Sequence, residues 1–589
     1  MTKANSLSRW LAAAMAALML LALLPARVWA AESTAYDTDG ATAFTFTDIA
    51  ITAKDGDYTG YNIDGTALTI EAAGTYIVSG SCQSGSITVK KGVTGVTLVL
   101  GGLTLTADGT AAIACNKSSG VTIVAKDGTT NILSDTETNN GDSYPDNTNA
   151  ENAVIKCKDG SQVTLCGSGS LTVNATGKNG IKSGATTDEE GEAWLVIRDL
   201  TLTISAPVND AINAEASLTI LSGDLTIDAG DDAVHSDYYL TVGAAGTDGP
   251  TITVNSCNEG LEAADLSIAG GHITIHAGDD CLNAANSDLT GYAFTLSISG
   301  GTLVMDTTSG DGIDSNGTLS ISGGTVVVWT NSTADNQPLD ADGTLSITSG
   351  TVLAAGGSAG MGIILSGDSQ PYVMFGSTGM GGMGGGRPGS IGGQPGGSSD
   401  GTTPPEKPSG SDSSSDSRPT PPSGSDGSQP TPPDGSDGTT PPELPDGQTA
   451  PDGSSDSQPG GQMPGQMDGQ SGSSISISKG STFTIRSSDG TAVYTGEAVY
   501  DARFVFFSSA AMTSGETYAL TSGGTELATA TAGGTGTAAV TTPDTPADTA
   551  DTHQTSDSHT ALYITLGTVA ALGAAAAMVV VVLRKQKKA

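Results

Sequence analysis

Short runs of alternating apolar and polar residues recur along the chain between about positions 44 and 376, and Gly-rich turns separate them. Examples are "SLTILSGDLTIDAG", "DLSIAGGHITIHAG" and "TLSISGGTLVMDTT", each of which holds two such runs. Alternation with a period of two is typical of a strand with one buried face. The pattern therefore predicts an all-β protein built from many short strands.

A longer internal repeat organises these runs. Phrases such as "NDAINAE", "DDAVHSD" and "GDGIDSN" place an aliphatic residue between a polar residue two positions before it and a small residue two positions after it. After the first gap, successive aliphatic anchors are 21 to 31 residues apart. The anchors are Ile113, Ile155, Ile181, Ile212, Val234, Leu261, Leu282, Ile313 and Leu339.

Three short strands in each repeat of this length predict a right-handed parallel β-helix with about 21–31 residues per coil. Successive coils of such a fold stack at the strand spacing of roughly 4.8 Å, so that like residues form ladders. An antiparallel β-sandwich would give like residues no reason to recur in register. The repeat therefore favours the β-helix.

Both ends of the chain carry targeting patterns. Residues 1–30 have a basic start, an apolar run and a small-residue cleavage site, which is typical of a secretory signal peptide. Residues 561–583 carry no charge and are long enough for one transmembrane helix. Because residues 584–589 are basic, we expect them to form a cytoplasmic tail and the rest of the mature chain to lie on the extracellular face of the plasma membrane.

Composition divides the region between these ends. Residues 31–376 hold the repeats and form the predicted β-helix domain. Residues 377–472 are rich in Gly, Pro and Ser, cannot bury a core and are predicted to be a disordered insertion. Alternation resumes over 473–536, predicted as the last β segment of the same domain, and 537–560 form a polar stalk.

The charge balance excludes one class of partner. The chain has 63 acidic and 23 basic residues, a formal net charge of −40. A nucleic-acid-binding protein needs a basic surface, so that function is excluded. Six cysteines are too few for a disulfide framework in a chain of 589 residues. Cys115 and Cys157 fall in one inward column, where either a disulfide or two stacked thiols could form. We expect the protein to be a monomer.

Acidic residues concentrate in the later repeats. Residues 199–386 contain 22 Asp or Glu and no Lys or Arg. The residue after each anchor points outward, since the anchor points inward. Stacked like charges repel, and a hard cation such as calcium, which takes six to eight oxygen ligands, would neutralise them.

We therefore predict calcium as the cofactor, held by side chains that lie two residues before the anchors, one residue after them, or beside those positions. The predicted ligands are Asp210, Asn213, Asp231, Asp232, Asp237, Glu259, Glu262, Asp279, Asp280, Asn283, Asp311, Asp314 and Asp340. The alternative is that Asp and Asn stand here because they tolerate the left-handed conformations of tight turns. The sequence leaves that alternative open for part of the set.

The chain resembles a known family: the calcium-binding, carbohydrate-binding parallel β-helix proteins on the surface of clostridia and related Gram-positive bacteria. The resemblance is carried by repeats such as "NDAINAEASLTILSGDLTIDAGDDAVHSD" and by the leading segment "AAGTYIVSG" with "ITVKKGVTGVTLVLGGLTL". "NEGLEA" and "NQPLDA" depart from the repeated acidic phrase. The resemblance implies binding of polysaccharides such as cellulose and polygalacturonate, and a distant similarity to polysaccharide lyases.

Two other functions are weighed against a calcium-dependent binder. A pectate-lyase-like enzyme would need a Lys or Arg as the base beside calcium. The candidates are Lys156, Lys182 and Arg198, all before the acidic repeats, so we predict no enzymatic activity. The third function is a structural β-helix adhesin without sugar binding. His235, His272 and His276 are weighed as bases or zinc ligands. His272 and His276 point out of one strand with a Thr between them, so an exposed strand face is favoured for those two.

Aromatic residues are the other candidates for sugar contact, because neutral glucans stack on exposed rings. The mature extracellular part has two tryptophans, Trp194 and Trp329. Alternation against Leu195 and Ile197, and against Val326 and Val328, predicts that both indoles point outward. They are the predicted carbohydrate platforms.

Overall fold

The computed structural model describes residues 36, 38–54, 59–331, 336–357, 363–367, 369–376, 475–533 and 540–541. Within these ranges every regular element is a strand, which confirms the all-β prediction. The same residues include no helix of sufficient length and apolarity to cross a bilayer. The predicted signal peptide, insertion, transmembrane helix and basic tail lie outside the described residues, as does the predicted stalk apart from residues 540–541.

The first 19 strands in chain order lie between residues 42 and 229. They are β1 (Thr42–Phe46), β2 (Ile51–Lys54), β3 (Tyr61–Asp64), β4 (Ala67–Ile70), β5 (Gly74–Cys82), β6 (Ser86–Val89), β7 (Val96–Ala107), β8 (Ile113–Cys115), β9 (Gly120–Ala125), β10 (Thr130–Asp135), β11 (Ala153–Cys157), β12 (Gln162–Cys166), β13 (Ser170–Asn174), β14 (Asn179–Ser183), β15 (Trp194–Arg198), β16 (Thr201–Ala206), β17 (Ile212–Ala214), β18 (Ser217–Ile220) and β19 (Asp224–Ala229).

The second half of the strand order lies between residues 234 and 541. Its strands are β20 (Val234–Val242), β21 (Thr251–Cys257), β22 (Leu261–Ile268), β23 (His272–Ala277), β24 (Leu282–Ala284), β25 (Thr295–Ile298), β26 (Thr302–Thr307), β27 (Ile313–Ser315), β28 (Thr318–Ile321), β29 (Thr325–Thr330), β30 (Leu345–Ile347), β31 (Thr351–Gly356), β32 (Tyr372–Gly376), β33 (Thr482–Ser487), β34 (Ala492–Glu497), β35 (Phe504–Ser509), β36 (Thr517–Ser522), β37 (Thr525–Thr531) and β38 (Val540–Thr541).

Thirty-three of the strands belong to one hydrogen-bonded sheet. Its pairings run mainly in three parallel columns. The first column is β4–β6–β8–β11–β14–β17–β20–β22–β24–β27, the second is β7–β9–β12–β15–β18–β20–β22–β25–β28–β30, and the third is β7–β10–β13–β16–β19–β21–β23–β26–β29–β31. Each strand pairs with its counterpart one repeat later, an arrangement consistent with a parallel β-helix.

The anchors stack as the repeat predicts. In the first column Ile181 pairs with Ile212, which pairs with Val234, and the series continues to Ile313. In the second column Leu218 and Ile220 belong to similar ladders of aliphatic residues that reach β30. These residues are fully buried in one long core. The core is thus built from like residues on successive coils.

Glycine just before an anchor has a steric role. A Cβ at Gly260 or Gly312 would collide with the backbone carbonyl oxygen of Cys281 or Pro338 on the next coil. The Gly in the phrases "NEGLEA" and "GDGIDS" therefore permits close approach of two backbones. The polar residues beside it do not take part in this close approach.

Antiparallel pairs lie at both ends of the large sheet. β1 pairs with β2 and β3 with β4 near the start of the described chain. At the other end β35 pairs antiparallel with both β31 and β32. Strand β35, which comes after the long insertion in sequence, thereby joins the large sheet directly.

A second sheet of five strands, β33, β34, β36, β37 and β38, covers the outer side of this end. It explains why the prediction for Trp329 is wrong. The indole is 1% exposed, because it packs on Phe483 of β33 with ring centroids 5.9 Å apart. Alternation within β29 gives the direction of the side chain relative to the coil, but it does not reveal a second layer of strands above it.

All six cysteines lie in the described part and are free and buried. Cys157 of β11 is the register partner of Cys115 of β8, as the inward column predicts. The structure holds them as two stacked thiols. A hydrogen bond between the thiols, together with burial, raises the pKa of Cys115.

Candidate functional site

Two polar ladders run side by side along one edge of the first column. The outer ladder consists of the residues that follow the anchors, and strand register stacks each on the next. In chain order its members are Lys156, Lys182, Asn213, His235, Glu262, Asn283 and Asp314. The residues two positions before the anchors form the inner ladder, at the turn that enters each strand.

Backbone hydrogen bonds hold the inner ladder in place. The carbonyl oxygens of Asp210 and Asp232 accept bonds from Gly180 and Ala211 of the preceding coil. The remaining members repeat this pattern. They are Glu259, Asp280, Asp311 and Gln337. Because the backbone at each turn is tied to the next coil, the side chains of successive turns are brought together along one line.

The first cluster on this edge centres on His235. Its Nδ1 lies 2.8 Å from Oε2 of Glu262 and 3.1 Å from Oδ2 of Asp232, and its Nε2 lies 3.0 Å from Oδ1 of Asp237. The histidine side chain is 18% exposed. Three carboxylates on adjacent coils therefore share one imidazole, which we call the histidine cluster.

The second cluster consists of Asp311, Asp314 and Asp340, which we call the aspartate cluster. One carboxylate oxygen from each lies within 4.8 Å of the others. Asp311 and Asp314 stand two before and one after the anchor Ile313, and the N–H of Asp340 is bonded to the Ile313 carbonyl at 2.8 Å. This arrangement brings three carboxylates together without a basic side chain among them.

Amide and acidic residues fill the coils between the two clusters. Asn283 donates from Nδ2 to Oε2 of Glu259 at 3.1 Å. Asp280 accepts the N–H of Asp311 at 2.6 Å through Oδ1. On the other side of the histidine cluster, Asn213 donates from Nδ2 to Oδ2 of Asp210 at 2.7 Å. The polar edge is therefore continuous from coil to coil.

Burial and mutual repulsion disfavour the charged form of these carboxyl groups. Burial, and after it the charges of Asp311 and Asp314, raise the pKa of Asp280 to about 8. Burial, followed by the charges of Asp314 and Asp340, raises the pKa of Asp311 to about 7. Burial, followed by the charge of Asp340, raises the pKa of Asp314 to about 6. In the absence of a cation, this part of the edge would therefore hold protons near neutral pH.

The histidine cluster has the opposite balance. Burial acts to lower the pKa of His235, but the hydrogen bonds to Asp232, Asp237 and Glu262 outweigh it and raise the pKa to about 12. The imidazole is then a fixed positive charge at neutral pH. Asp232 still has its pKa raised to about 6, because burial and the charge of Glu262 act on it as well.

Three amide oxygens on this edge are buried and have no hydrogen-bond partner: Oδ1 of Asn213, Oδ1 of Asn283 and Oε1 of Gln337. Asn283 is 9% exposed and Gln337 is 4% exposed. A buried acceptor without a donor costs free energy, on the order of 1–3 kcal/mol. Amide and carboxylate oxygens together are the donor set that calcium prefers, so the residues around the aspartate cluster fit this ion.

Backbone conformation tests the turn-geometry alternative. Among the described residues other than glycine, those with a positive φ are Ser118, Asn152 and Asp199. None of them belongs to the predicted calcium ligands. Those ligands therefore do not stand in their turns because of a left-handed backbone.

The predicted ligands are not equally placed. Asp232, Asp237 and Glu262 enter the histidine cluster, and Asp311, Asp314 and Asp340 form the aspartate cluster. The other predicted ligands lie on the edge between or beside the two. Asp231 and Asp279 precede ladder residues at their turns, and the side chain of Asp279 is exposed.

The three histidines differ in their surroundings. His272 and His276 are exposed on β23, as expected. His235, whose side chain belongs to the outer ladder, is enclosed by three carboxylates. Its place in the outer ladder, between Asn213 and Glu262, was readable from the repeat; the convergence of acids from two neighbouring coils was not.

Aromatic residues missed by the sequence analysis lie beside the histidine cluster. Tyr238 and Tyr239 are 38% and 52% exposed. They follow Asp237 at a bulge in β20, and their rings lie 6.2 Å apart. Trp194, the remaining predicted platform, is half-buried on the outer side of β15. The adjacent Tyr-Tyr pair in "SDYYL" was the available signal.

Comparison with known proteins assigns the chain to a family. A family model described as "Carbohydrate-binding domain-containing protein" matches residues 64–360, which include both clusters. The chain belongs to that family. No curated protein matches it.

One solved structure is similar to the chain, the polysaccharide lyase-like protein from C. thermocellum, determined as a gadolinium derivative. The identity is 24%, and the match covers 48% of this chain and 96% of that one, with a TM-score of 0.34.

Proposed function

We propose that this carbohydrate-binding family member is a calcium-dependent polysaccharide-binding protein of the cell surface. One observation carries the proposal: buried carboxylates of the aspartate cluster lie on the same polar edge as buried amide oxygens that lack donors. Repelling anions and unpartnered acceptors would both be satisfied by one divalent cation that binds oxygen. No Lys or Arg occurs between residues 199 and 386 to take that role.

The residues that would hold calcium are those of the aspartate cluster, with Asp280, Asn283 and Gln337 as neighbours on the adjoining coils. Bound there, calcium supplies positive charge and open coordination positions to an oxygen ligand. Asp311 and Asp314 belong to one coil and Asp340 to the next, so the ion would also tie two coils together. At the histidine cluster, we propose that the imidazolium of His235 fills the place of the ion.

The proposed setting follows from the sequence predictions. We propose a right-handed β-helix exported by its signal peptide and held at the membrane by residues 561–583, with the polysaccharide outside the cell. Cellulose and pectin-like glycans are the candidate ligands. A polygalacturonate could not approach this acidic edge directly, so calcium would have to bridge its carboxylates to those of the protein.

A lyase is the second candidate function, and one observation favours it. Burial, followed by the charge of Lys182, lowers the pKa of Lys156, as a general base requires. Its position argues against this function. Lys156 lies six rungs of the outer ladder before Asp314, roughly 29 Å at the strand spacing, so it cannot reach a sugar held at the aspartate cluster.

Retention on insoluble polysaccharide tests the proposal. The purified extracellular part is mixed with cellulose or insoluble pectin, in calcium or in chelator, and the bound fraction is measured. We expect retention that chelator lowers. Chain cleavage, seen as unsaturated uronates that absorb in the ultraviolet, would establish the lyase instead. Calcium-dependent melting without retention on any glycan would leave a structural adhesin and refute the proposed function.

A further inference from the structure

A group of aromatic side chains lies at the corner that follows the histidine cluster. The ring of Tyr238 contacts that of Tyr239 at 6.2 Å between centroids and that of Tyr292 at 6.4 Å. Tyr292 in turn lies 5.5 Å from Phe294. The first two are the most exposed of the four. The fold therefore supports two partly exposed rings on a base of two further rings.

The corner is held by polar contacts as well. Asn286 donates from Nδ2 to the carbonyl oxygen of Asp237 at 3.1 Å. The carboxylate of Asp237 is bonded to His235, and burial together with a hydrogen bond to Tyr239 raises the pKa of Tyr292 to about 12. The exposed rings are consequently positioned before any ligand arrives, which lowers the entropic cost of binding.

A cavity of about 590 Å³ opens beside these rings. Its lining includes Tyr238 and Tyr239 together with the acidic residues Glu192, Glu215 and Asp237. Exposed aromatic faces next to hydrogen-bond acceptors are the combination that a sugar ring requires, since its faces carry C–H groups and its rim carries hydroxyls.

We propose that this cavity, which we call the tyrosine groove, binds a neutral polysaccharide chain, with sugar rings stacked on Tyr238 and Tyr239 and hydroxyls donating to Glu192 and Asp237. The inference rests on the proposed polysaccharide-binding function and names the place and the ligand class. It replaces Trp329, which is buried, as the aromatic platform.

The charge of the groove selects a neutral ligand. The described residues that line it include three acids and neither Lys nor Arg. Two of these acids have a cationic partner outside the lining, since Lys182 lies 3.0 Å from Glu215 and the ring of His235 lies 3.0 Å from Asp237. The lining itself presents carboxylates and no cationic side chain to a uronate, whereas the hydroxyls of a neutral glucan can donate to these oxygens.

The ladder that carries Tyr239 extends the groove along the helix axis. Strand register pairs Tyr239 with Ser217 of the preceding coil. Trp194 occupies the equivalent position one coil before Ser217, because each of the two directly precedes a leucine of the same ladder. Trp194 and Tyr239 are thus two coils apart, roughly 9.6 Å at the strand spacing. A chain of several sugars lying along the axis would span both, with the small Ser217 between them.

Binding of cellohexaose and retention on cellulose test the groove, with polygalacturonate as the anionic comparison. The variant is Tyr238→Ala with Tyr239→Ala, and the matched control is Tyr144→Ala, which removes another exposed tyrosine. We expect the double variant to bind cellohexaose at least about tenfold more weakly, while the control binds like wild type. Calcium-dependent melting of the variant should equal that of wild type, which shows that the fold and the aspartate cluster are intact.

Three results would overturn the inference. The double variant could bind cellohexaose as wild type does, or Tyr144→Ala could weaken binding equally, or the double variant could lose as much binding of polygalacturonate as of cellohexaose. In each case the wild type still binds a polysaccharide and the proposed function stands. If the wild type binds none of these glycans, the proposed function fails and the groove assignment fails with it.

Discussion

The histidine cluster and the aspartate cluster occupy equivalent places on the same edge, yet their charges are balanced differently. Each gathers carboxylates from a turn before an anchor and from the outer ladder after it. In the first, His235 stands between the acids with both ring nitrogens engaged. In the second, the corresponding ladder position is Asp314, and no cationic side chain faces the acids in the described part.

The comparison shows how one residue can decide the chemistry of a repeat. Both clusters have the same backbone frame, because Val234 and Ile313 belong to the same anchor ladder. The imidazolium of His235 balances the charge of the histidine cluster, whereas the aspartate cluster needs a cation from solution. The repeat thus provides equivalent places, and the side chain after each anchor determines whether a metal is required.

The largest effect is expected from His235→Gln. In chelator, we expect a loss of about 3 kcal/mol in the free energy of unfolding, since three carboxylates lose the cation they share. Denaturant unfolding measures it. His272→Gln is the matched control, because that ring is exposed on β23, and it should change stability by less than about 0.5 kcal/mol. Equal effects of the two variants would show that His235 does not balance its cluster.

Loss of calcium from the aspartate cluster should come next. At a calcium concentration about 100 times the dissociation constant, binding stabilises the folded state by about 2.7 kcal/mol. Asp311→Asn with Asp314→Asn should abolish that gain, measured as the difference in Tm between calcium and chelator. Asp224→Asn with Asp248→Asn removes the same charge from exposed positions and should leave the gain intact. If the Asp311→Asn, Asp314→Asn variant keeps the full increase in Tm with calcium, the ion does not bind at this cluster.

The pH dependence should distinguish the metal-free state from the calcium-bound state. The pKa values of Asp280 and Asp311 are raised to about 8 and about 7, so the folded state binds protons more tightly than the unfolded state does. Their stabilising contribution is present below the ordinary pKa and is lost as pH rises through these values. In chelator, Tm should therefore fall between about pH 5 and about pH 8.

Saturating calcium should flatten that decline, because it displaces the protons and pairs with the ionised carboxylates. His235 adds a decline in both conditions, since its raised pKa stabilises the fold below about pH 6.5 and that contribution is lost as pH rises toward 12. The comparison is made by thermal melts across this range. Parallel curves in calcium and in chelator would contradict the assignment.

The smallest change in stability is expected from His235→Asp, which makes the first cluster resemble the second. The variant should bind one calcium more than wild type, counted by equilibrium dialysis or native mass spectrometry. At saturating calcium its free energy of unfolding should lie within about 1 kcal/mol of wild type, because the ion replaces the imidazolium. An unchanged number of bound ions would show that the two clusters differ in more than this one residue.

Much of this architecture was predictable because it is periodic. The spacing of anchors such as Ile212 and Val234 predicts their stacking, and the small residues after them predict the inward column that holds Cys115 and Cys157. The outer ladder follows from alternation alone. Local rules suffice here, since each coil contacts mainly its neighbours and neighbouring coils carry like residues at like positions.

The same rules do not extend to contacts between distant parts of the chain. Trp329 points away from the coil as alternation requires, but β33, more than 150 residues later, covers it. Tyr500 likewise donates to Asp306 of β26 at 2.8 Å across 194 residues. The periodic pattern of the coils does not predict these pairs, because the residues after 475 that make the contacts do not carry that pattern.

The sequence by itself determined the all-β class, the in-register anchors, the acidic edge and the lack of a Lys or Arg to neutralise it. Only the tertiary structure decided which acids meet, that His235 pairs with the acids of one cluster while no cationic side chain of the described residues pairs with those of the other, and that tyrosines at a bulge, rather than Trp329, face solvent. The physical reason is that periodicity specifies the direction of a side chain from its own strand, whereas burial and charge balance depend on what the other coils and the second sheet bring to it.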